Sequence, residues 1–100
     1  MTEALDADLF MSRVDALRTG EQAQLSRLAA GIVVAIDMGI ADSRAFARAF
    51  GIEHALVLRE IALLSDTSDL ITVTGRHPKT LRTSLQLTAR GVQLLKERCG

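Results

Sequence analysis

The spacing of apolar residues changes period twice along this chain, from 3.6 to 2 near Leu70 and back to 3.6 near Thr88. That switch limits the architectures open to it. Before Leu70 the pattern is helical, with Leu5, Leu9, Phe10, Val14 and Leu17 on one stripe and Gly20 as a stop, which predicts a first helix over residues 3 to 18. Residues 21 to 38 place Leu25, Leu28, Ala29, Ile32, Val33 and Ile36 on one face and widen it with Val34 and Ala35, as a central helix touching neighbours on two sides would. Gly39 ends it.

Asp42 or Ser43 is placed to cap a third helix that Gly51 closes after about two turns, and a fourth follows over residues 53 to 65 with Val57, Ile61 and Leu64 on a shared face. Polar Asp66 to Asp69 break the pattern. Ile71 and Val73 then alternate with Thr72 and Thr74, and Leu81, Thr83, Leu85 and Leu87 with Arg82, Ser84 and Gln86, so two half-buried strands are expected. Gly75 and Pro78 mark an extended hairpin tip between them. Thr88 caps a last helix that turns Val92 and Leu95 to the core, while Gly91 permits close packing against the strands. The expected fold is mainly α with a small antiparallel β-hairpin, in the order α-α-α-α-β-β-α.

One hundred residues make a single domain, here an N-terminal helix over 1–20 that could serve as a dimerisation arm and a core over 21–98. With no Trp or Tyr and three Phe, the core is aliphatic and a base-stacking platform is not expected. The formal charge is zero but unevenly spread. Residues 1 to 42 carry seven acids and three bases, and residues 43 to 100 carry nine bases and five acids, so the two stretches stand at −4 and +4. An acidic arm and a basic face are implied. The acidic MTEALDADLF start does not read as a signal peptide, and the apolar run Leu28–Ile36 has about half the length needed to span a bilayer, so a cytoplasmic protein is expected. Cys99 stands alone near the C-terminus with no intrachain partner, which fits a reducing compartment. His54, His77 and Cys99 are too scattered for a zinc site, no glycine-rich phosphate loop is present, and Glu53–His54 has no nucleophile beside it in sequence. Neither a cofactor nor catalysis is expected.

Two segments carry a resemblance. Phe46-Ala47-x-x-Phe50-Gly51-Ile52, followed by Val57 and Ile61, resembles helix-turn-helix sequences, with Ala47 small enough for two helices to cross and Gly51 supplying the left-handed turn. Leu85-x-Leu87-Thr88-x-x-Gly91-x-x-Leu94 resembles the strand-to-helix junction of winged-helix regulators of the MarR type. The chain is shorter than a typical MarR protein, so the resemblance extends to the winged-helix domain and not to that family's ligand pocket or full dimerisation scaffold. It implies a DNA-binding transcriptional regulator, a homodimer presenting helix 53–65 and wing 75–82 to duplex DNA.

The residues that this reading sets against DNA are Arg44 and Arg48 on the third helix, His54 and Arg59 on the fourth, and Arg76, His77, Lys79 and Arg82 in the wing. Three fixed cations and a histidine within the stretch from Arg76 to Arg82 suit phosphate contact. The fourth helix is less typical of a base reader. Leu56 and Leu63 form a second apolar stripe about 100 to 120° from the buried one. That stripe favours the alternative function, a winged helix that binds protein without significant DNA binding, with Leu56 and Leu63 in the contact.

Overall fold

Helix starts fall where a side chain can replace the missing backbone partner. In the computed structural model, which describes residues 6–99, Asp6 accepts from the Leu9 amide (3.1 Å), Ser26 from Ala29 (2.9 Å), Asp42 from Ala45 (2.7 Å) and Thr88 from Gly91 (3.0 Å). These caps open α1 (Ala7–Leu17), α2 (Arg27–Asp37), α3 (Ser43–Phe50) and α5 (Ala89–Cys99). Between α3 and α5 run α4 (His54–Thr67), which has no side-chain cap at Glu53, and the strands β1 (Ile71–Arg76) and β2 (Thr83–Leu87). The order is the expected one: five helices and one antiparallel hairpin, mainly α.

Several boundaries differ from the sequence reading, each for a local reason. Residues 3 to 5 of the expected first helix lie outside the described residues, and within them α1 starts only after Asp6. The second helix begins at Arg27 rather than residue 21, because the Ser26 hydroxyl caps it there and the Leu25 carbonyl is taken by the Arg18 guanidinium at 2.7 Å. A 3-10 turn at Gly20–Gln22 occupies the space before it. The fourth helix runs on through Asp66 and Thr67, where Thr67 and Ser68 hydroxyls bond back to the carbonyls of Leu63 and Leu64.

α2 is the pillar of the molecule. Ala29 to Ala35 are all buried, and α1, α4, α5 and β2 pack around them, bringing Val14, Leu17, Val57, Ile61, Leu64, Leu70, Leu85, Leu94 and Leu95 into one core. All three phenylalanines sit together where α1, α2 and α3 meet, with Phe50 4.8 Å from Phe10 and 4.6 Å from Phe46 between ring centres. They line an apolar hollow of about 300 Å³ whose floor is Gly31. Outside the core, Arg13 on α1 pairs with Asp37 at the end of α2 at 2.6 Å. No described helix is long and apolar enough to cross a membrane.

In the hairpin, Ile71 pairs with Leu87 and Val73 with Leu85, and a bulge between Val73 and Gly75 shifts the register before Arg76 meets Thr83. The other edge of β2 takes the chain just before α3: the Leu85 amide donates to the Ala41 carbonyl at 2.8 Å, and Asp42 bridges Ser84. Ile71 is buried as expected, while Val73, 37% exposed, is less covered because burial along β1 is concentrated at its Ile71 end. Val92 is exposed too. Gly91 sets the phase of α5, since a Cβ there would run into the Leu70 carbonyl oxygen, and this close approach points Leu94 and Leu95 inward and Val92 out.

The largest departure is Leu81. Expected as the first inward residue of the second strand, it lies outside β2 at the hairpin tip, 46% exposed, with φ +61°. A leucine in left-handed backbone costs about 1–2 kcal/mol, so neighbouring bonds must hold it there.

Candidate nucleic-acid interface

The exposed stripe of α3 places Arg44 and Arg48 one turn apart, and the fold sets the hairpin tip beside them. Arg44, Arg48, His77, Thr80 and Arg82 line one shallow concavity of about 400 Å³. A second, of about 250 Å³, lies on the other side of the same two arginines and is bounded by Ala47, Ile52 and His54 at the start of α4. Five of the eight basic or histidine side chains expected at the interface thus share one surface.

What positions the tip against α3 is a small polar cluster at the base of the hairpin. Ser43, fully buried at the first position of α3, accepts the Thr83 backbone N–H at 2.9 Å through its hydroxyl oxygen, and the same oxygen lies 2.7 Å from His54 Nε2. One hydroxyl therefore ties α3, α4 and β2 together. A hydroxyl has one proton and two acceptor lone pairs, so beside the Thr83 bond the direction of the Ser43–His54 bond follows the imidazole tautomer. The surroundings favour a neutral imidazole: desolvation lowers the His54 pKa most, the Arg44 and Arg82 charges push the same way, and Asp42 opposes them. His54 is held inward by this bond, leaving less of it for outside contacts.

Asp42 has two tasks at the same corner. One carboxylate oxygen caps α3 and also lies 3.5 Å from Arg82 Nε, so the Arg82 charge is partly offset at the base of the hairpin. The Arg44 guanidinium reaches the Thr80 carbonyl at 3.5 Å, a long contact that still links helix to tip. Arg76 approaches the Thr83 hydroxyl at 3.4 Å and remains exposed. Among the described residues, the side chains of Arg48, Lys79 and Arg59 make no hydrogen bond or ion pair. Arg59 stands on the outer face of α4, opposite the buried Val57 and Ile61, and lines neither concavity.

The tip is more ordered than its polar sequence implies. His77 Nδ1 accepts the backbone amides of Lys79 (3.2 Å) and Thr80 (3.3 Å), so its neutral ring carries the proton on Nε2. The imidazole is both a brace for the turn and a donor facing the concavity. Sequence reasoning found the cations and missed Ser43, Asp42 and Thr83 as the residues that position them. Asp42 was visible as a cap; nothing in the sequence links Ser43 to His54 or Thr83, which lie 11 and 40 positions away.

Ser43 and His54 form a hydroxyl–imidazole pair of the sort that serves nucleophilic catalysis, but Ser43 has no exposed surface through which a substrate could reach it. The pair is a structural pin. Among the described residues no group of three or more His, Cys, Asp or Glu side chains is placed to hold a metal ion. Cys99 is half-buried, its thiol 3.4 Å from the Arg13 carbonyl. Comparison with protein families, with curated proteins and with solved structures finds no match for this chain.

Proposed function

We propose that this chain is a winged helix-turn-helix module that binds duplex DNA, with the properties of a small transcriptional regulator. The observation that carries the reading is the shared surface of Arg44 and Arg48 with His77, Thr80 and Arg82, which sets helix cations and wing cations at one concave face. Such a face suits phosphates on one duplex, where counterion release supplies affinity without sequence information. The start of α4 lies at the second concavity without a side-chain cap, so its first amides add to the same field. Lys79 and Arg76 extend the cationic edge along the wing. Arg59, on the outer face of α4, is the residue assigned to base contact.

The proposal includes a homodimer, because one protomer offers few phosphate contacts and α1 exposes Leu9 (51%) and Met11 (38%) beside the Phe10 hollow. A monomer in sedimentation at tens of micromolar concentration would remove that part.

The test is fluorescence anisotropy of a labelled mixed-sequence duplex at about 50 and 200 mM salt. Micromolar binding that weakens roughly a thousandfold across that range is expected for about six phosphate contacts in a dimer. Replacing Arg76, Lys79 and Arg82 together by alanine should weaken binding to every sequence and flatten its salt dependence. Binding that the triple variant leaves unchanged refutes the wing as the electrostatic contact.

One observation favours a second reading. Leu56 and Leu63 are 46% and 48% exposed on α4, the helix that a DNA reader would present. A folded protein with no duplex binding at low salt would favour a protein-interaction module that uses this stripe.

A further inference from the structure

We infer that Leu81 enters the minor groove of the bound duplex as an apolar wedge, making it a specificity residue for the DNA-binding reading on which this inference rests. Among the described residues it is the only one besides glycine with positive φ, at +61°, in a place where glycine or asparagine would adopt the same backbone readily. The tip is built to hold it. The Leu81 amide donates to the His77 carbonyl at 2.9 Å, its own carbonyl accepts the Thr83 hydroxyl at 2.8 Å, and the His77 amide donates to the Arg82 carbonyl at 2.9 Å. His77 Nδ1 braces Lys79 and Thr80, and the Arg82 amide donates to the Thr80 hydroxyl at 3.2 Å. A sparsely populated backbone persists only where its surroundings over-determine it, and such places cluster at functional sites.

The chemistry around Leu81 says what it meets. The tip around it reads Arg76, His77, Pro78, Lys79, Thr80 and Arg82, so Pro78 is the one other apolar residue there and the rest are cationic or polar, a small apolar area for a protein contact. An exposed leucine in a loop whose other side chains are mostly cationic or polar suits a polyanion with a narrow slot that takes one apolar group. The minor groove, about 6 Å wide, admits one such side chain between two phosphate rows, and leucine wedges act there by parting a base step. The steps that part most easily are pyrimidine–purine steps, so the wedge discriminates by deformability rather than by hydrogen bonds.

The experiment compares wild type, Leu81→Asn and Leu81→Met by anisotropy at one low salt concentration. Two duplexes are used, one with a central TA step and one with a rigid A-tract in its place, and salt slopes and melting temperatures are recorded for each protein. Wild type should prefer the TA duplex and displace a minor-groove dye from it. Leu81→Asn should melt no lower than wild type, keep the salt slope, lose about tenfold in affinity for the TA duplex and lose the preference, while Leu81→Met keeps most of both. Leu81→Gly, free to take the same backbone, replaces the asparagine variant if that one unfolds. Salt-dependent binding whose affinity and step preference survive Leu81→Asn overturns the wedge alone. Absence of salt-dependent duplex binding by wild type overturns the wedge together with the DNA-binding reading.

Discussion

Replacing Ser43 by alanine removes the one hydroxyl that joins α3, α4 and β2, and its cost follows from what is left behind. The Thr83 amide, buried, loses its acceptor, and an unsatisfied buried donor costs about 1–3 kcal/mol. His54 Nε2 loses a hydrogen-bond partner at 2.7 Å, but the ring is only half-buried, so water can restore part of that bond. Alanine returns a few tenths of a kcal/mol in helix propensity. The net loss is about 1–3 kcal/mol, which for a domain of this size lowers the melting temperature by roughly 5–20 °C. Thermal unfolding followed by circular dichroism measures it, with Ser84→Ala as the control, since Ser84 is exposed and engages β2's edge through backbone pairing. A melting temperature within about 2 °C of wild type would refute the argument, because it would mean that the Thr83 amide finds another acceptor without Ser43.

The glycines of two helices should respond in opposite directions to alanine. At Gly91 the added Cβ meets the Leu70 backbone carbonyl, which cannot move aside like a side chain, so Gly91→Ala should destabilise by about 1–3 kcal/mol in urea unfolding. At Gly31 the Cβ would sit 3.5 Å from the Phe10 ring and 3.8 Å from Phe46, ordinary contact distances, so Gly31→Ala should stabilise by about 1 kcal/mol through helix propensity. The His54 pKa lies below its unfolded value of 6.5, so the unfolded chain takes up this proton more readily. Its stabilising contribution is therefore complete above pH 6.5 and lost as pH falls through the lower folded value. Melting temperatures from pH 7.5 to 5 should fall more steeply for wild type than for His54→Gln, in about that window. Parallel curves would contradict the assignment. Under the proposed DNA-binding function, the Arg76, Lys79, Arg82 triple variant should lose duplex affinity without losing stability, because their side chains are exposed; a melting temperature several degrees lower would show that the hairpin-tip cations also hold the fold.

Element type and order were legible in the residues because each rests on a periodicity of side chains that local backbone geometry imposes. The capping residues Asp42 and Thr88, the stop at Gly51 and the buried face of Val57, Ile61 and Leu64 belong to this class. The exposed stripe of Leu56 and Leu63 does too. Boundaries were less legible where a distant group intervened, as when Arg18 takes the Leu25 carbonyl and delays α2. Alternation misled at Leu81, because a hairpin tip obeys its own turn geometry and not the period of the strands it joins.

The sequence by itself determined four helices before a hairpin and one after it, an aliphatic core and a basic second half. It did so because helix and strand periods, caps and charges are properties of near neighbours. Only the tertiary structure decided that Arg44 and Arg48 face the hairpin tip, that one buried serine hydroxyl holds Thr83 and His54, and that Leu81 stands exposed at the tip. Those facts depend on contacts between residues as far as 40 positions apart. Such contacts follow from how the elements pack around α2, and no local pattern in the chain encodes them.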